Sequence, residues 1–163
     1  MENDALRALY RRTEQLTLVI LILSLPLFGV VYLFHNSGSI NKDLPQLPVF
    51  AQGVLLGLGF LVLGLHYVLF HQKIKKTFSL DNLLDKVAGY CAATRQRFWV
   101  LFLVAVLSSL GLLFSGNAGF VVVFALTLVF FSLGKPSPDR MARLMKLKKE
   151  DRELLREISR PAN

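Results

Sequence analysis

A chain of 163 residues that is 53% hydrophobic, with thirteen Phe and only 18% charged residues, is too apolar for an ordinary soluble domain. Its net charge of +8 needs no nucleic acid as partner, because the basic residues flank uncharged stretches and so favour anionic lipid headgroups. The single cysteine, Cys91, excludes an intramolecular disulfide, a CxxC redox pair and a thiolate metal cluster, and reads as a small core residue.

Ala5, Leu6, Leu9 and Tyr10 give an apolar edge among Arg7, Arg11, Arg12 and Glu14, so a helix is expected to begin ahead of the uncharged run 15–41. A bilayer core about 30 Å thick takes about 20 helical residues, which places a first span at 15–35. A secretory signal peptide is the competing reading. The run is longer than such a core, however, and His35-Asn36 stands where a cleavage site would show small residues, so retention is expected. Pro26 removes one helical hydrogen bond near Ile22 and marks a candidate kink.

The uncharged run 44–72 holds a second span at about 49–72. Within QGVLLGLGFLVLG, Gly53 and Gly57 have GxxxG spacing, and Gly59 and Gly64 follow. Such positions let another helix approach closely. The partner is either an internal span, with Ser108, Ser109, Gly111 and Ser115 as a small-residue face to receive it, or another chain. The span leaves through GLHYVLFHQKIKK, where His66 and His71 are five residues apart and so about 140° apart around the axis. Two ligands for one metal on a helix need i,i+3 or i,i+4 spacing, so the pair is no chelate. His71 abuts Lys73 and reads as interfacial. His66 lies about a turn inside the lipid boundary, either hydrogen-bonded to a neighbouring helix or marking a functional site. The remaining histidine, His35, is expected at the opposite face, which argues against bis-His haem; no cofactor or metal is predicted.

A helix capped by Ser79 or Asp81, with Leu80, Leu83, Leu84, Val87, Cys91 and Thr94 on one face, is expected to run about 35 residues to Phe114. The uncharged stretch 98–134 would make a helix of roughly 55 Å, too long for one crossing. Ser115-Gly116-Asn117-Ala118-Gly119 is a turn signal near its middle, so two spans are read, at 98–114 and 118–134. Lys86, Tyr90, Ala93 and Arg97 form one stripe at the entrance to the third span. Either Lys86 and Arg97 snorkel to phosphates while Tyr90 and Ala93 pack, or the stripe is a docking surface or an anionic headgroup site between helices.

Beyond the fourth span, Ser137 is placed to cap a helix with Pro138 at its first position. The tail, 135–163, is one helix with a polar gap or, preferably, two short helices broken near 146–148. Its acids Glu150, Asp151, Glu153 and Glu157 weaken attraction to anionic lipid, which favours packing on the chain's own helices or on a partner.

Eighteen of the nineteen lysines and arginines lie before the first span, between the second and third, or after the fourth, with Lys42 the exception. Both termini are therefore expected on the cytoplasmic side, with the 35–48 loop and the 115–119 turn outside. Tyr10, Tyr32, Tyr67 and Trp99 fall near span ends, as interfacial aromatics do. No span interior carries Asp, Glu, Lys or Arg, which argues against a proton-driven exporter. A Ser/His/Asp set, a carboxylate pair and a phosphate-binding glycine loop are all missing.

The run KVAGYCAATRQR, the turn FSGN at 114–117 and KPSPDRM at 135–141 together resemble an uncharacterised family of short bacterial four-span integral membrane proteins. The likeness covers roughly 80–158. Its pattern is Lys, Tyr, Ala and Arg ahead of the third span, T/S-G-N in the outer turn, K/R-P-S/T after the last span, and a charged two-helix tail. The resemblance implies a topology and no activity. Members of that family often carry a Glu shortly inside the third span, where this chain has Phe102, so any chemistry of that carboxylate would be lacking here.

The expected fold is thus an all-α integral membrane four-helix bundle with helices extending into the cytoplasm and a charged helical tail. The leading functional expectation is a non-enzymatic accessory or scaffold subunit, or a self-associating bundle, that packs through Gly53, Gly57 and Gly64. The alternative is a binder of a lipid, quinone or other apolar ligand, with His66 and Tyr67 near the inner leaflet and Lys86, Tyr90 or Arg97 meeting an anionic headgroup. A membrane enzyme acting on such a ligand ranks last for want of a catalytic set.

Overall fold

The computed structural model describes residues 2–38, 44–80 and 82–159; the proposed cap Asp81 and the exceptional Lys42 lie outside them. The described residues form six helices and no strand. The first, α1 (Glu2–Asn36), is continuous through Pro26. Its buried positions Leu6, Tyr10, Thr13, Thr17, Ile20, Ser24 and Phe28 recur every three or four residues, as one helix face does. The hydroxyls of Thr13, Thr17 and Ser24 donate to the carbonyls of Leu9, Glu14 and Ile20 at 2.9, 2.8 and 2.7 Å. Each satisfies its own polarity within the helix and leaves a slim side chain on the packing face.

α2 (Val49–Thr77) buries Gly59, Leu63, His66, Phe70, Ile74 and Thr77. α3 (Leu83–Ser115) is the long helix expected from the pattern, and it is central: α1, α2 and α4 (Gly119–Gly134) all pack on it. Its cap is Asn82, whose side-chain oxygen accepts from the Leu84 N–H at 3.1 Å. Ser79 belongs instead to the exit of α2, donating to the Lys76 carbonyl at 3.0 Å. α2 and α3 each exceed the span expected within them, so their excess length stands beyond the apolar part.

The far end of the bundle is closed by the FSGN turn. Gly116 has φ +62°, a conformation that favours glycine, and ends α3. Ser115 Oγ accepts from the Asn117 N–H at 3.2 Å, and Asn117 Oδ1 accepts from the Gly119 N–H at 2.9 Å as α4 begins. Asn117 Nδ2 reaches Gln52 Oε1 at 3.4 Å, tying the turn to the start of α2. The small-residue face of α3 receives α4 here, since a Cβ on Gly111 would stand 2.3 Å from the Phe120 ring.

The tail is two helices, α5 (Pro138–Leu144) and α6 (Lys149–Ser159). Ser137 Oγ accepts from the Arg140 N–H at 3.3 Å, with Pro138 in the first turn as expected. The break falls where Lys146 takes φ +50°. The tail packs on the chain itself: Met141, Ala142, Met145, Leu147 and Leu155 join Leu6, Tyr10, Phe70, Ile74, Val87, Tyr90 and Cys91 in one core. Tyr10, expected at a membrane interface, is therefore buried under the tail, its hydroxyl donating to the Pro136 carbonyl at 3.4 Å.

That core gathers the start of α1, the end of α2, the start of α3 and the tail at one end of the bundle. The described lysines and arginines fall in the segments that meet there, so this is the basic end. Elsewhere the burial pattern is inverted relative to a soluble protein. Ile22, Leu23, Leu33, Leu61, Leu103, Val122 and Val129 are exposed, while Ser24, Ser108, Ser109 and Thr127 are buried. Apolar outside and self-bonded hydroxyls inside suit lipid as the solvent. α1, α2 and α3 are each long and apolar enough to cross a membrane, and α4 with α5 makes a fourth candidate, bent by 87° between the two helices. α4 alone, at 16 residues, spans about 24 Å.

Candidate functional site

Between α2 and α3, toward the basic end, lies a cleft of about 190 Å³. Val62, Leu65, Leu69 and Phe70 from α2 face Ala93 and Val100 from α3, so the walls are mostly apolar. Leu65 and Leu69 are about half exposed, and the cleft therefore opens sideways through the outer surface of the bundle. At its mouth the Lys73 ammonium donates to Gln96 Oε1, bridging the two helices.

Two polar side chains stand inside this wall. Arg97 is 3% exposed, and its Nη2 donates to the Phe130 carbonyl at 3.3 Å. That carbonyl lies near the C-terminus of α4, the partially negative end of the helix. The guanidinium also sits 4.9 Å from the centre of the Phe70 ring, a cation–π contact. Its Nε is buried without a hydrogen-bond partner, and among the described residues no carboxylate pairs with Arg97. A buried charge normally has a counter-ion, because the desolvation cost of an unpaired ion is several kcal/mol (order of magnitude). His66, 4% exposed, stands edge-on to Phe130 at 4.8 Å. The Val62 and Leu63 carbonyls of the preceding turn lie beside it, but neither ring nitrogen makes a hydrogen bond of ordinary geometry.

Of the five residues expected at a ligand site, the fold brings His66 and Arg97 to the cleft. Tyr67 is turned away from it, 47% exposed, and packs against His71 at 4.3 Å. Tyr90 is wholly buried and does not line the cleft; its ring meets that of Phe70 in a T-shaped pair at 6.4 Å. Lys86 is half-buried and does not line the cleft. Tyr90, Ala93 and Arg97 of the stripe thus turn inward, and Arg97 does not snorkel. Lys73, Gln96 and Phe130 were not singled out from the sequence; only the pairing of helices brings them together, and no spacing along the chain encodes it.

The glycines of α2 divide by face. Gly53, Gly57 and Gly64 have open space where a Cβ would point, so no internal helix packs on them. Gly59 is the internal one, where a Cβ would stand 3.1 Å from Val123 of α4. His35 lies over Gly116 at the far end, away from His66. Among the described residues no three His, Cys, Asp or Glu side chains gather as a metal site. The cleft offers cationic and imidazole donors to an anion and apolar walls to its hydrocarbon; it contains no nucleophile with an adjacent base.

No known protein family, no curated protein and no solved structure matches this chain.

Proposed function

We propose that the chain is a four-span protein of a bacterial inner membrane, with both termini cytoplasmic, and that its α2–α3 cleft binds an acidic amphiphile from the surrounding lipid. The observation that carries this reading is the buried Arg97 with a free Nε and no acidic counter-ion among the described residues, set against an apolar cleft that opens sideways. An acid headgroup would supply the missing charge, and Lys73 at the mouth would add a second donor. At about 190 Å³ the cleft is smaller than the 300–1,000 Å³ or so of a typical drug-sized pocket. It suits one acyl segment or one ring, with the rest of the molecule left in lipid. The cytoplasmic assignment rests on the basic end, as in other inner-membrane proteins.

A second reading, self-association or docking as an accessory subunit, is favoured by the outward face of α2. Gly53, Gly57 and Gly64 lie open there beside exposed Leu61 and Val68. The two readings separate on one variant. Leu69→Trp fills the cleft and leaves the glycine face untouched. Lipid extracts of the purified full chain, compared by mass spectrometry, are expected to show at least a tenfold drop in one acidic species in the variant, with the oligomeric state unchanged. An unchanged extract contradicts the cleft assignment.

A further inference from the structure

The tail holds a second basic feature that the cleft does not use. α5 and α6 pack on each other, and between them lies an open bay of about 530 Å³. Arg140 and Arg143 line it from α5, and Arg152 and Arg156 from α6. Against these four guanidinium groups stands, among the described residues, a single carboxylate, that of Asp139, which Arg156 Nη2 engages at 2.7 Å. Arg152 Nε donates to the Leu147 carbonyl at 2.9 Å, which holds its fork in place. Arg140 and Arg143 have no acidic partner among the described residues.

The tail's composition hides this arrangement. Glu150, Asp151, Glu153 and Glu157 lie on α6 beside the arginines in sequence, yet none of them lines the bay. Arg152 and Arg156 are four residues apart and share one helix face, and that face turns toward α5. Acids and arginines are thus segregated, and the charge balance of the tail as a whole understates the field inside the bay. Guanidinium groups converging from two helices suit bidentate recognition of phosphate oxygens.

The geometry points to a phosphate-binding site in the α5–α6 bay, which shares no lining residue with the α2–α3 cleft. Its ligand class is a phosphate-bearing anion, either the headgroup of an anionic lipid or a soluble phosphate. α5 turns 87° from α4 and crosses the end of the bundle, the level at which headgroups would lie if α4 spans the membrane.

The test uses the purified full chain in mild detergent, titrated with phosphatidylglycerol, phosphatidylcholine or inorganic pyrophosphate and read by native mass spectrometry. Arg143→Gln with Arg152→Gln is expected to weaken phosphatidylglycerol binding about tenfold or more. Arg11→Gln with Arg12→Gln removes the same charge from exposed positions outside the bay and is expected to stay within about twofold. Asp139→Asn removes the competing carboxylate and is expected to tighten binding, an outcome that loss of folding does not mimic. If pyrophosphate binds with the same dependence on the variants and displaces the lipid, the site stands and its source is a soluble phosphate. Equal losses in the two double variants, equal binding of phosphatidylcholine, or weaker binding by Asp139→Asn would overturn the proposal.

Discussion

Arg97 is the residue on which structure and function separate most cleanly. As a strut, its worth is one hydrogen bond to the Phe130 carbonyl and one contact with the Phe70 ring. Against that stands the burial of a guanidinium with no carboxylate beside it among the described residues. Replacing buried charge by a well-packed apolar side chain is often neutral or stabilising by about 1–4 kcal/mol. Arg97→Met is therefore expected to unfold in detergent at the same temperature as the parent chain or above it, provided that both have been stripped of lipid. A loss of more than about 3 kcal/mol, the usual cost of breaking a compensated buried pair, would mark Arg97 as part of the framework instead. The sequence placed Arg97 at the entrance to the third span, where a long cation ordinarily reaches outward to phosphates. That it points inward depends on Phe70 and Phe130, which lie on two other helices, and nothing local to Arg97 announces them. His66 was legible for the opposite reason, since an ionisable group one turn inside an apolar run stands out along the chain itself.

At the scale of the helices, boundaries were easier to read than faces. Charge-free stretches set the four apolar helices, and Ser137-Pro138 and the FSGN turn punctuate the chain where the structure does. Of the two readings of the tail, one helix with a polar gap or two short helices, the structure shows the preferred second, with the break at Lys146 and the polar run 149–153 inside α6. The face each helix presents was less visible. In α2 the four glycines lie in a uniformly apolar run, so nothing in the sequence distinguishes Gly59, which meets Val123, from Gly53, Gly57 and Gly64, which meet nothing. The stripe of Thr13, Thr17 and Ser24 by which α1 packs also went unread, although its spacing was available. These faces give opposite expectations for one chemical change. Gly111→Ala sets a Cβ 2.3 Å from Phe120 and is expected to cost about 1–3 kcal/mol by overpacking. Gly57→Ala enters open space and gains helix propensity, so its effect is expected to be neutral or stabilising by less than about 1 kcal/mol. Thermal unfolding of the two variants side by side checks the ordering. Equal destabilisation would mean that the outward face of α2 is covered by another chain, which is the prediction of the self-association reading.

For the molecule as a whole, what distinguishes the two ends of the bundle is their chemistry. The far end is closed by neutral side-chain and backbone hydrogen bonds around Gln52, Ser115 and Asn117. The basic end combines a tail folded back on the bundle, an arginine bay and, just inside it, a cleft whose buried cation has no acidic partner among the described residues. An acidic amphiphile held with its headgroup toward that end would satisfy Arg97 and leave its chain along the exposed Leu65 and Leu69. Native mass spectrometry of the full chain released directly from membranes reads ligand and oligomer together, and it tests this most directly. The parent chain is expected to retain an acidic amphiphile that is lost in Arg97→Met, with the number of chains per particle unchanged. A parent chain released without any bound amphiphile, or an Arg97→Met variant that keeps the same adduct, would contradict it.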